Sequence, residues 1–203
     1  LNHFQQENWE VSLLNTRMIR AGADEAGRGP LAGHVVGCAV VLTIKQMKRL
    51  LKSGLNDSKK LTEIKREEIF AIINEIGVVW RARSASHERI DNTNILRASL
   101  WVMRESILAL PCGIEHVIID GNKAIPELPM QQYAIVKADE LIPEVMAASV
   151  IAKVIRDRTM KRLDAIYPQY GFARNKGYPT KEHRAAIAKY GASPIHRMSF
   201  KLF

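Results

Sequence analysis

The sequence predicts an α/β domain built on an open sheet, and three observations point there. Short apolar runs alternate with stretches of helical periodicity, three of the runs lead into an aspartate, and no Ser/Gly/Pro-rich linker breaks the order. Residues 18–23, 35–42 and 77–86 carry the apolar and β-branched content of strands between Gly or polar boundaries. Between the last two, Ile69, Ile72, Ile73 and Ile76 follow i, i+3, i+4, i+7 spacing behind Thr62, a suitable N-cap. A second helix is expected over about 93–110, with Leu96, Leu100, Met103, Ile107 and Leu110 as its buried stripe. Short strands follow at 116–120 and 133–139, each ending in an aspartate. A long helix should start near Pro143 and bury Val145, Ala148, Ala152, Ile155, Leu163 and Ile166, leaving Lys153 and Arg156 together on another face. A last helix spans 181–190 and stops at Gly191.

At 203 residues the chain can bury one sizeable core, so residues 18–203 read as a single domain behind an N-terminal extension at 1–17. No apolar run approaches the roughly 20 residues needed to cross a bilayer, and the first residues lack a signal-like core. Cys38 and Cys112 have neither CxxC spacing nor nearby His partners, which argues against a disulfide framework or a zinc site. A soluble cytoplasmic protein, working as a monomer, is expected. Residues 151–203 hold 12 Lys/Arg against 3 Asp/Glu, leaving 18 of each sign in the rest, so all of the +9 excess lies in the last quarter. Segregated positive charge interleaved with Tyr167, Tyr170, Phe172 and Tyr178 is the footprint of a nucleic-acid binder.

The candidate chemistry begins at Asp24-Glu25-Ala26-Gly27-Arg28-Gly29-Pro30. Strand residues alternate faces, so two adjacent acids share a side only where the strand has ended or twisted; the pair should mark a strand end. Gly27 and Gly29 are free to take φ above zero and to bring bare amides against a ligand. Ligand sites in open α/β sheets lie outside the carboxyl ends of parallel strands, where Asp24, Asp120 and Asp139 would gather. Like charges packed that closely need a cation, and hard oxygen donors without Cys or His point to magnesium or manganese.

These residues resemble the ribonuclease HII family, the type 2 ribonucleases H. The resemblance rests on the Asp24 to Pro30 run, Asn56-Asp57-Ser58-Lys59-Lys60-Leu61, Ile119-Asp120-Gly121-Asn122 and Lys137-Ala138-Asp139. It continues with Ala147-Ala148-Ser149 through Ala152-Lys153-Val154 to Arg156-Asp157, and with Gly177-Tyr178-Pro179-Thr180, in order from about residue 20 to Phe200. It implies a ribonuclease H-like fold, a mixed five-stranded sheet flanked by helices with a helical C-terminal portion. It implies an endonuclease that cuts the RNA strand of RNA–DNA hybrids, and 5′ to single ribonucleotides in duplex DNA, by two-metal-ion catalysis with Mg²⁺ or Mn²⁺. Asp24, Glu25, Asp120 and Asp139 match the catalytic and metal-binding acids. Gly27, Arg28 and Gly29 match the turn around the ribose 2′-hydroxyl, Tyr178 the ring on the following sugar, and Lys59 a phosphate contact. Ser149, Lys153 and Arg156 lie in the family's helix motif, with substrate phosphates or packing and ion pairing as alternatives.

Asp157 competes with Asp139 for the fourth carboxylate, although an ion pair is its simpler role. His183 and His196 are expected to be structural or phosphate-contacting rather than proton carriers. Glu140, following Asp139, departs from the family pattern and would add an outer carboxylate to the metal site. The roughly 20 residues before the first strand are expected to be too few for the N-terminal domain usual in type 3 enzymes, and no partner-binding tail is expected after the His196–Phe200 segment. A non-catalytic nucleic-acid-binding domain is the alternative of another class, and would need no acid cluster.

Overall fold

The structure is a computed structural model that describes residues 19–203; the expected extension at 1–17 and Met18, the first residue of the first expected strand, lie outside them. Five strands, β1 (Arg20–Ala26), β2 (Val35–Val41), β3 (Val79–Ala85), β4 (His116–Asp120) and β5 (Gln131–Ile135), form one sheet in the order β3-β2-β1-β4-β5. The first three are antiparallel, and β1, β4 and β5 run parallel, so the sheet is mixed as expected. The helices are α1 (Ile44–Lys52), α2 (Glu63–Glu75), α3 (His87–Asn92), α4 (Ile95–Leu108), α5 (Ala138–Leu141), α6 (Pro143–Ile166), α7 (Phe172–Asn175) and α8 (Lys181–Tyr190).

Alternation along the strands sets the two layers. Val36, Cys38 and Val40 pack with Ala147, Val150, Ile151 and Val154 of α6 and with Ile69 and Ile73 of α2. On the other face Ala21, Ala23, Ala39, Val117 and Ile119 meet Met103 and Ile107 of α4. Gly22 permits the close approach of the long helix, since a Cβ there would stand 2.5 Å from the Val145 nitrogen. Pro143 opens α6 at its first turn, where a missing N–H is harmless. A third apolar cluster joins Leu31 and Ala32, just after β1, to Met160, Tyr170, Phe172 and Ile187, and so docks the C-terminal quarter against the loop between β1 and β2.

Several expectations need correction. The basic helix α1 and the short α3 are additional to the expected helices; only Leu50 and Ile90 are buried in them, so neither shows a full apolar stripe. In α4 the buried face turns toward Ala98, Ser99 and Val102, which rotates Leu96 and Leu100 to its margin. Ile166, expected in the core, is 65% exposed at the end of α6. Asp139 is not at a strand end: β5 stops at Ile135, Lys137 takes a left-handed conformation (φ 61°), and Asp139 sits in the single turn of α5.

Candidate active site

β1 continues through the acids to Ala26 because β2 pairs with it that far, Ala26 opposite Val36. Adjacent acids inside a strand point to opposite faces, so the expected strand end at Ala23 is replaced by a different arrangement. Asp24 shares its face with Gly22 and α6, whereas Glu25 turns toward the α4 side, in a hollow with Leu96, Ser99 and Met103. Parallel pairing of Ala23 with Ile119 makes Asp24 and Asp120 the next rung, on one face. Asp139 completes the group from α5, its N–H directed at Asp120 Oδ1 at 3.5 Å.

The electrostatics follow from that crowding. Burial, then Glu25 and Asp120, raise the Asp24 carboxyl well above its ordinary value, despite the Ser149 hydroxyl beside it. Burial also raises Glu25, against the pull of Arg28 at 3.4 Å, and burial together with Asp139 raises Asp120. Lys59 Nζ lies 2.8 Å from Asp139 Oδ2. Burial opposes the charge on Lys59, but Asp139, Asp57 and Asp24 prevail and hold the ammonium above its usual range. Among the described residues no three His, Cys, Asp or Glu side chains already form a cage that could hold a metal ion. The donors nevertheless suit one: they are hard oxygens, Asp24 and Asp120 are raised by burial and then by neighbouring carboxylates, and a lysine cation rests on Asp139.

Beside the acids lies the turn at 27–29. Gly27 has φ 106°, and a Cβ there would come within 2.3 Å of Arg156 Nε. Gly29 does not share the positive φ expected of both glycines; a Cβ on it would touch the Tyr178 ring at an ordinary 3.5 Å. Tyr178 is half-exposed, with Lys153 Nζ 5.7 Å from its ring centre. Its carbonyl accepts a hydrogen bond from His183 Nδ1 at 2.9 Å. His196 Nδ1 accepts from the Ser193 N–H, so its Nε2 carries the proton and donates to His183 Nε2 at 3.0 Å. Both buried histidines are therefore neutral braces behind Tyr178, in keeping with the structural role expected of them.

Of the two alternatives for the helix motif, packing and ion pairing are what the structure displays. Arg156 is fully buried and donates to the carbonyls of His34, Lys176 and Ala32, so it does not reach a phosphate. Ser149 is buried against Ser58, 2.8 Å between hydroxyls. Lys153 pairs with Asp157 at 2.7 Å, and Arg66 adds a second partner at 3.5 Å; the ion-pair role of Asp157 holds, through these residues rather than its arginine neighbours. Glu140 is held by Lys60 and Lys137 at 2.7 and 3.3 Å, which turns it outward from the acids.

The basic quarter is likewise less of a surface than its composition suggests. Arg156 and Arg197 are buried on carbonyls, and Arg158, Lys161, Arg174 and Lys176 pair with Glu67, Glu63, Glu182 and Glu63. Sequence reasoning passed over Asp57, whose Oδ1 accepts from the Lys59 N–H and sets that turn, and over Arg197, whose partners are all backbone and leave no pattern to read.

The family model described as "Ribonuclease HII" matches residues 21–203. The chain belongs to the ribonuclease HII family. It is 49% identical to ribonuclease HII of Aliivibrio fischeri over 181 residues, which is 89% of this chain and 85% of that one. Its structure is similar to ribonuclease H2 from Pyrococcus horikoshii, with TM-score 0.76, 28% identity, and coverage of 91% of this chain and 95% of that one. The ribonuclease HII of Archaeoglobus fulgidus, solved in a complex with PCNA, gives TM-score 0.73 and 30% identity over 92% and 96% of the two chains. As a ribonuclease HII family member this protein is a nuclease, hydrolysing RNA in RNA–DNA hybrids and excising ribonucleotides by two-metal catalysis. The family's divalent-ion chemistry accords with the crowded carboxylates described above.

Proposed function

We propose that Asp24, Glu25, Asp120 and Asp139 hold the divalent ions, Mg²⁺ or Mn²⁺, and that the turn at 27–29 with Tyr178 selects a ribose followed by a deoxyribose. The observation that carries this reading is the meeting, at one end of the sheet, of acids raised by burial and by neighbouring carboxylates with the unbonded amides of an exposed turn. When bound, the ions supply an activated water and stabilise charge on the phosphate and its leaving oxygen.

The chain's own groups supply the rest. Asp24 and Asp120 present oxygens from one face, while Glu25 reaches the site from the other. Lys59, 76% exposed along its side chain, exchanges the Asp139 carboxylate for a substrate phosphate. Amides read a hydroxyl that DNA lacks, and the exposed ring of Tyr178 packs on the next sugar. Ser149 steadies Asp24 from below. All of these groups come from one chain, so we take the monomer as the working unit. A reduced cytoplasmic setting suits the unpaired Cys38 and Cys112, and no helix among the described residues is long and apolar enough to cross a membrane.

The test is a labelled duplex with one embedded ribonucleotide, incubated with protein and each metal in turn. Cleavage 5′ to the ribonucleotide is expected with Mg²⁺ or Mn²⁺. Tyr178→Ala should lose at least about tenfold in kcat/KM on that duplex and less on a continuous RNA strand, while Tyr178→Phe stays mild, because the ring carries the contact. Equal proportional losses on both substrates would reduce Tyr178 to a packing residue.

A further inference from the structure

We propose that Arg197, with Arg156 beside it, is a positioning residue that aims the amides of Arg28 and Gly29 at the ribose. This rests on the reading of the turn given above.

Arg197 is 0% exposed, and every hydrogen bond of its guanidinium goes to a carbonyl of the loop after β1. Nη2 donates to Gly27 O at 2.6 Å and His34 O at 3.3 Å, Nη1 to Arg28 O at 3.0 Å, and Nε to Gly33 O at 2.9 Å. Arg156 reaches His34 and Ala32 of the same loop. Two buried cations without a carboxylate are costly, and they are tolerated only where every donor is satisfied. Burial lowers both guanidiniums, Arg156 to about 10 and Arg197 to about 9, which leaves both charged at neutral pH. A neutral amide, with two N–H donors, could tie at most two carbonyls; the rigid five-donor fork holds the four of this loop at once.

The consequence for the turn follows from peptide geometry. There are no cis peptide bonds among the described residues, and in a trans peptide the N–H points opposite to the C=O of the same unit. With the Gly27 and Arg28 carbonyls drawn inward to Arg197, the Arg28 and Gly29 N–H groups must face outward. Both residues are exposed, and among the described residues neither amide donates a hydrogen bond within the protein. The guanidinium is itself fixed from behind: the Arg197 N–H donates to Leu31 O at 2.8 Å. The Asp91 carboxylate accepts from the Met198 and Ser199 amides at 2.9 and 3.0 Å. Leu31 N–H donates to Gly177 O at 2.8 Å, so Tyr178 is tied to the same frame.

The test is equilibrium binding without metal, where cleavage is silent, to two duplexes that differ only in one ribonucleotide. The readout is the ratio of the two affinities. Arg197→Lys keeps the charge but loses the fork; the ratio should fall at least about tenfold, with affinity for the all-DNA duplex little changed. A folded Arg197→Lys with an unchanged ratio would overturn the proposal, because a mere structural brace weakens both duplexes alike. Should Arg197→Lys fail to fold, Asp91→Ala loosens the same segment from the surface and should lower the ratio about two- to threefold; no change there overturns the proposal equally. Gly29→Ala separates the two layers of the argument. If it lowers the ratio and the Arg197 and Asp91 variants do not, positioning alone is wrong; if it leaves the ratio intact, the reading of the turn falls and the proposal with it.

Discussion

The carboxylate end of the site and the turn beside it are built on opposite principles. At Asp24, Glu25 and Asp120 the protein gathers like charges and leaves all three raised by burial and by neighbouring carboxylates, Asp139 among them. At residues 27–34 it gathers carbonyl dipoles and satisfies them from within, through two buried arginines. The first region needs a ligand to complete it; in the second the carbonyls are held before any ligand arrives, which leaves the Arg28 and Gly29 amides free among the described residues. Removing a charge should therefore stabilise one region in the metal-free protein, and removing a donor should destabilise the other.

The largest effects fall on the acids. Asp120→Asn and Asp24→Asn should lower cleavage on the order of a thousandfold while duplex binding persists, because each deletes charge from the ion site and little volume. Without metal, each relieves repulsion, so Tm should hold or rise. Near wild-type turnover at saturating metal in either variant would remove that residue from the catalytic set.

A second pair asks where the acidic set ends. Asp139→Asn should lose at least about a hundredfold in kcat with the fold intact. Asp157→Asn should act through stability instead. Its partners Lys153 and Arg66 are only 20% and 11% exposed along their side chains, so the cost should be about 2–3 kcal/mol rather than the sub-kilocalorie value of a surface pair. Chemical denaturation read beside single-turnover rates distinguishes the two.

The sequence carried β4 and the helix boundaries at Pro143 and Gly191, because a β-branched run, a proline and a glycine each act locally, whereas β1 runs on to Ala26 and β5 lies at Gln131–Ile135 rather than 133–139. It also brought Asp24 and Asp120 together, because parallel register makes them neighbours at the ends of β1 and β4. What escaped it depends on partners far away in the chain. Arg156 read as a candidate phosphate contact and Arg197 carried no reading of its own, yet both are buried on carbonyls of the loop after β1, more than a hundred residues distant, with Lys176 adding a nearer one to Arg156. Asp139 read as a strand terminus because the left-handed Lys137 that breaks the run is not a glycine. The tyrosines illustrate both cases: Tyr170 packs on Phe172 in the core, and Tyr178 stands half-exposed by the turn.

Smaller effects come from the turn's glycines. Gly27→Ala combines positive φ with the Arg156 clash and should destabilise by about 2–4 kcal/mol. Gly29→Ala has neither and should melt within about a degree of wild type, so any loss of activity in it reports on ligand approach rather than on folding. Equal melting of the two variants would show that the turn is not braced as described.

The smallest effect is a pH dependence of opposite sign in the two regions. Burial and His183 lower His196 from the ordinary 6.5 to about 4, so between those values the unfolded chain takes up the proton and the folded chain does not. That contribution to stability is lost as pH falls through the window. Asp24 and Asp120 are raised when folded, so the folded state takes up their protons first and their repulsion is relieved as pH falls. The gap in Tm between Asp120→Asn and wild type, measured without metal, should accordingly narrow on acidification; a widening gap would reverse the sign assigned to the carboxylates.

The contrast between the two regions rests on the acids being the part that a cation completes. Calorimetric titration of Mn²⁺ into the metal-free protein tests this directly. Wild type should show saturable uptake approaching two ions per chain, and Asp120→Asn should bind at least about tenfold more weakly or take up fewer ions. Identical uptake by the two proteins would contradict the account.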